Sequence, residues 1–118
     1  MISRSDVEKL SEDFFRENKA RIISELLRYA KVETEEELWD KEYHMGFGLD
    51  CGIVYIVPYD PETTKVWKKD DPYRDARLHL RYPYQTQSTT LQEIQATMLV
   101  EYLEEKTGEK FGTYTWID

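Results

Sequence analysis

Residues 53–58, Ile-Val-Tyr-Ile-Val-Pro, are the longest apolar run in the chain. β-Branched and aromatic residues fill the run, and from Ile53 it is apolar on both faces of an extended backbone. Such a segment predicts a central strand, covered on both sides by its own domain or on one side by a partner. It is far too short to cross a bilayer, which needs about 20 residues. A sheet must therefore be built around it, and the flanking sequence limits what that sheet can contain.

Before the run the period is helical. Ser5 and Glu8 form a capping-box pattern ahead of Val7, Leu10 and Phe14. A second apolar set, Ile22, Ile23, Leu26, Leu27, Tyr29 and Ala30, is rotated by roughly 100° from the first. One straight helix over residues 6–31 would be about 39 Å long, more than a domain of this size is wide. A break is predicted at Glu17-Asn18-Lys19. Thr34 with Glu37 opens a further short helix, which Gly46 is placed to end.

After the run, Tyr59-Asp60-Pro61-Glu62-Thr63 reads as a turn, with Lys65-Val66-Trp67-Lys68 returning as a hairpin strand. Ala76, Leu78, Leu80 and Tyr82 alternate with Arg77, His79 and Arg81, the pattern of a half-buried strand. Thr89 and Thr90, with Gln92 and Glu93, begin a helix that carries Leu91, Ile94, Met98, Leu99 and Tyr102 on one face and ends at Gly108. Residues 111–117 read as a last strand, able to join an earlier one in parallel through a crossover. The reading is one α+β domain over residues 1–118, order α-α-β-β-β-α-β, with helices on a mostly antiparallel sheet of about four strands. Its parts are helices in 1–46, strands in 47–87, a helix in 88–108 and a strand in 110–117.

Charge narrows the function classes. Twenty-four acids against sixteen bases leave a formal net charge of −8 over 118 residues. Residues 1–46 carry twelve acids and eight bases, 47–87 six of each, and 88–118 six acids and two bases, so the excess lies outside the predicted strands. That field repels nucleic acid and anionic lipid and favours basic protein surfaces. A single cysteine and the lack of a signal-peptide apolar core in the first residues read as a cytoplasmic protein.

No set of residues specifies a reaction, a cofactor or a metal. Cys51 follows Asp50, which opposes thiolate formation, and reads as a small core residue, not a nucleophile paired with His79. Asp40 and His44 share a helix face, but two histidines and one cysteine are too few for a typical zinc site. The glutamates at 35–37 suit a helix start, and Asp70-Asp71-Pro72 lacks the alternating oxygens and glycine of a calcium loop. Gly46-Phe47-Gly48 precedes a strand and opens no helix, so it is no phosphate loop.

Aromatic content is the most telling feature. Nine tyrosines and three tryptophans are many for a core this small. Tyr55, Tyr59, Trp67, Tyr73, Tyr82, Tyr84, Tyr114 and Trp116 fall in the strands and loops, interleaved with Arg74, Arg77 and Arg81. Amphipathic rings beside arginine match the centres of protein interfaces. The expectation is a non-enzymatic protein-interaction module of the inhibitor, immunity, antitoxin or regulatory-subunit type. Its anchors would be Trp67, Tyr73, Tyr82, Tyr84 and Trp116 with Arg77, His79 and Arg81. Its steering charges would be Glu93, Glu101, Glu104 and Glu105, with the glutamates at 35–37. The alternatives are a small-ligand or catalytic cleft using His79, Arg77 and Arg81, single-stranded nucleic acid on the aromatic strand face, and homodimerisation through the apolar strand.

Overall fold

Local sequence chemistry sets each helix boundary in the computed structural model, which describes residues 1–46, 50–71, 73 and 75–117. Helix α1 (Arg4–Glu17) starts where the Ser3 hydroxyl accepts the Asp6 amide, two residues before the expected Ser5 cap. The chain breaks at Asn18 as the rotated apolar sets require, and α2 (Lys19–Ala30) follows. Thr34 caps α3 (Glu35–His44), its hydroxyl accepting the Glu37 amide as expected and donating to the Glu37 carboxylate, and Gly46 follows the helix end with φ of 76°. Strand β1 (Gly52–Pro58) leads into α4 (Pro61–Asp70), then come α5 (Thr89–Thr107) and β2 (Phe111–Ile117). Among the described residues this makes an α+β domain of five helices and one two-stranded antiparallel sheet.

Two predicted strands are absent from that sheet, for separate reasons. The segment read as turn and hairpin strand is α4. Asp60 is its N-cap, accepting the amides of Glu62 and Thr63, and Pro61 occupies the first turn where its missing N–H costs nothing. Thr63 and Trp67, four residues apart, are the buried side. Residues 76–82 keep the expected alternation, with Ala76, Leu78, Leu80 and Tyr82 buried, but meet β1 at a single bridge between Leu78 and Ile56.

Side chains take the place of the third strand. Along this edge of β1, the Gln92 carbonyl accepts the Val54 amide at 3.0 Å and its amide donates to Gly52 O at 2.9 Å. The Tyr82 hydroxyl donates to Val54 O at 2.7 Å. Gln87 O accepts the Gly52 amide, and Leu78 exchanges both backbone bonds with Ile56. Gln95 does the same for the neighbouring loop, accepting the Tyr84 amide and donating to Tyr84 O. Buried backbone groups must find partners, and here α5 supplies several of them.

The last strand also pairs differently from expectation. It is antiparallel to β1, in a register running from Gly52 opposite Ile117 to Pro58 opposite Phe111. Helix α5 packs under both strands, on the face carrying Val54, Ile56 and Phe111. The core joins these to Val7, Phe14, Ile22, Trp67, Leu99 and Leu103, with a smaller cluster around Leu26, Leu38 and Leu91. The buried side of α5 includes Gln92 and Gln95, while Ile94, Met98 and Tyr102 are only partly covered.

The start of α5 carries a pH-dependent contact. Ser88 is the N-cap, and the Asp50 carboxylate accepts the hydroxyls of Ser88, Thr89 and Thr90 at 3.2, 2.5 and 2.6 Å. Burial pushes this carboxyl up, but those hydrogen bonds outweigh it and hold the group below its ordinary value. A depressed folded-state value gives stability that is present above the unfolded value and lost as pH falls through the folded one. The Asp50→Asn variant should melt below wild type at neutral pH. That gap should close as pH drops below the usual carboxylate range in paired thermal melts, and a pH-independent gap would refute the assignment.

Candidate interaction surface

Strand alternation divides the sheet into a core face and an outer face. Ile53, Tyr55 and Val57 point outward from β1, opposite Trp116, Tyr114 and Gly112 of β2. Tyr55 and Tyr114 are a direct cross-strand pair with ring centroids 6.4 Å apart. Tyr59 extends the row: its ring lies over Gly112, where an added Cβ would sit 2.6 Å from the Tyr59 hydroxyl oxygen. Only glycine leaves room for that ring. Trp116 is 52% exposed, Tyr114 44% and Tyr59 65%.

Residues 76–82 lay their polar side chains beside this row. The Arg77 guanidinium is 4.8 Å from the Tyr55 ring centre and 5.3 Å from that of Tyr114, and His79 lies 5.5 Å from Tyr55. Both arginine contacts are within the range of cation–π attraction. Asp75 forms an ion pair with Arg77, and its hydrogen bond raises the guanidinium's already high pKa. The outer face is thus an aromatic strip with one neutralised cation and an imidazole at its side.

Arg77, His79 and Trp116 therefore share one surface, together with Tyr55, Tyr59 and Tyr114. Tyr73 is 89% exposed in the loop after α4. Three proposed anchors lie elsewhere. Trp67 is 0% exposed, stacked on Phe111 with its indole N–H donating to Ile2 O at 3.0 Å. Tyr82 is buried by its bond to Val54 O, and burial raises its hydroxyl pKa. Tyr84 is buried too, donating to the buried carboxylate of Glu42, which also accepts the Thr86 hydroxyl. Trp67 reads as exposed only if residues 65–68 form a strand, and their helical period turns it inward. Tyr82 and Tyr84 face inward because β1 and Glu42 need their hydroxyls.

Cys51, expected in the core, is exposed. It precedes β1, outside the alternation that buries Gly52, Val54 and Ile56. Asp40 and His44 do meet, at 2.7 Å. Phe47, Gly48, Leu49 and Arg74 lie outside the described residues.

Two shallow depressions matter here, one beside β1 and one between helices. One, about 550 Å³, is lined by His79, Arg81, Tyr82, Gln85, Gln87 and Gln92. It gathers two residues of the expected cleft, His79 and Arg81, and leaves Arg77 on the outer face. The other, about 640 Å³, lies between α2 and α5, with Glu25, Glu93 and Glu101 around Ile94 and Met98. Glu104 and Glu105 continue the exposed side of α5. Among the described residues no group of three or more His, Cys, Asp or Glu side chains is disposed to hold a metal, and no helix is long and apolar enough to cross a membrane. No family model matches the chain, and no curated protein or solved structure is significantly similar to it.

Proposed function

We propose that this chain is a non-enzymatic protein-interaction module whose binding face is the outer side of the β1–β2 sheet. The observation that carries the reading is the row of exposed Tyr59, Tyr114 and Trp116 around the half-buried Tyr55 across both strands, with Arg77 over Tyr55 and Tyr114 and His79 beside them. Large amphipathic rings around arginine are what interface centres contain. The cleft reading is weaker. The polar atoms of Gln92 and Tyr82 that border the depression are spent on backbone bonds, and Arg77 is spent on Asp75 and two rings. Nucleic acid fares no better, since the cation nearest the rings is neutralised by Asp75 and the chain carries −8 overall.

Acidic residues on α5 supply steering in this reading. Glu93, Glu101, Glu104 and Glu105 are all exposed, and opposite charge on a partner would speed encounter. Affinity capture from the native host with wild-type and Trp116→Ala baits tests the face. A protein held by the first and lost from the second supports it, and equal recovery overturns it. Reversing charge at Glu101, Glu104 and Glu105 together should slow association with that protein about tenfold at low salt and flatten its salt dependence. Association rates that match wild type at every salt concentration would remove the steering role.

A further inference from the structure

The two edges of the sheet are treated very differently. The outer edge of β1 is closed by Leu78, Gln87, Gln92 and Tyr82, as described. Among the described residues the outer edge of β2 has no strand beside it. Its parity follows from one bond: the Tyr59 amide donates to Lys110 O, so 59 and 110 are a hydrogen-bonded pair, and pairs two residues on behave alike. The backbone groups of Gly112, Tyr114 and Trp116 then point at β1, and those of Thr113, Thr115 and Ile117 point away. Among the described residues none of these outward groups has a hydrogen-bond partner.

Edge strands are normally protected by lysine, proline, a bulge or a covering segment. Phe-Gly-Thr-Tyr-Thr-Trp-Ile contains no charged residue and no proline, and it pairs with β1 without a bulge. A two-stranded sheet is also marginal on its own, and gains from added strands. We infer that the β2 edge pairs with the β2 edge of a second copy, antiparallel about a two-fold axis at Tyr114, to make a continuous four-stranded sheet. This rests on the interaction-module reading and extends its outer face across two subunits, the charge-steered partner being a further protein.

Self-complementarity selects the occupant. Centred on Tyr114, the register sets Thr113 opposite Thr115 and Phe111 opposite Ile117 in both halves, so every outward backbone group of the strand is paired. Moving the axis by one residue leaves some of them unpaired. The same register puts Tyr114 against its symmetry mate and Trp116 against Gly112, over which Tyr59 lies, so the aromatic row runs unbroken across the axis. Charge agrees with it. The strand itself carries no charge although the chain is −8, so two copies meet along it without like charges face to face.

Light scattering at physiological salt tests the proposal, with wild type expected at twice the 14.2 kDa chain mass. Tyr114→Glu places like charges face to face at the axis while Arg77 remains beside each within its own subunit. It should give the single-chain mass with an unchanged circular dichroism spectrum. In a Cys51→Ser background, Tyr114→Cys should become a covalent dimer under oxidised glutathione at least tenfold faster than Tyr55→Cys, which lies one strand from the axis. Wild type at single-chain mass at the highest soluble concentration, or equal cross-linking of the two variants, overturns the proposal. A single-chain protein that still captures another protein through Trp116 overturns the second copy and leaves the binding face standing. Capture that is indifferent to Trp116 overturns that face separately.

Discussion

Replacing Gln92 by leucine should lower the unfolding free energy by about 3–5 kcal/mol, because it strips partners from buried backbone groups at about 1–3 kcal/mol each. The side chain accepts the Val54 amide and donates to Gly52 O and Thr86 O, so one substitution orphans groups on β1 and on the loop before α5. Leucine is close in volume and apolar, so cavity formation contributes little and the loss reports the hydrogen bonds. For a chain of this length that amounts to roughly a 12–20 °C fall in melting temperature. Gln92→Leu should fall by that amount in thermal and urea denaturation, and the exposed neighbour Glu93→Gln by less than about 0.5 kcal/mol. A loss under about 1 kcal/mol would show that β1 finds other partners and that α5 does not close its edge.

That prediction also shows where sequence stops being informative. The helix break at Asn18, the Thr34–Glu37 box, both terminal glycines and the last strand are set by neighbours in sequence, and periodicity or capping exposes them. Strand count is not local. The alternation at 76–82 correctly assigns inward and outward residues, but it cannot say whether the edge beside it is filled by another backbone or by a glutamine from a helix. Asp60-Pro61-Glu62 is ambiguous for a different reason, since helix capping and turn formation by an aspartate use the same side-chain-to-backbone bonds. Surface aromatics divide the same way. Alternation at 76–82 places Arg77 outward and Tyr82 inward, whereas Trp116 faces outward through its register with β1 and Tyr84 faces inward because the Glu42 carboxylate takes its hydroxyl. Sequence does not mark Tyr59 as an anchor, because its position over Gly112 depends on the β1–β2 register.

Trp67 and Trp116 are indistinguishable as candidate anchors in the sequence, and the structure makes their variants behave in opposite ways. Trp67→Ala removes the largest fully buried side chain, its stacking on Phe111 and the bond that ties Ile2 to α4. Large-to-small changes of this kind cost about 3–5 kcal/mol, so the variant should unfold at markedly lower urea and lose any binding only through unfolding. Trp116→Ala removes a half-exposed ring from the outer face, where the expected stability change is below about 1 kcal/mol. Its effect should appear in binding, because a ring left half exposed in the free subunit has further contacts to gain from a partner. Measuring unfolding and binding on both variants separates the two roles. If Trp116→Ala were as destabilising as Trp67→Ala, the outer ring would be part of the subunit's own packing, and the face could not be the place where another molecule is held.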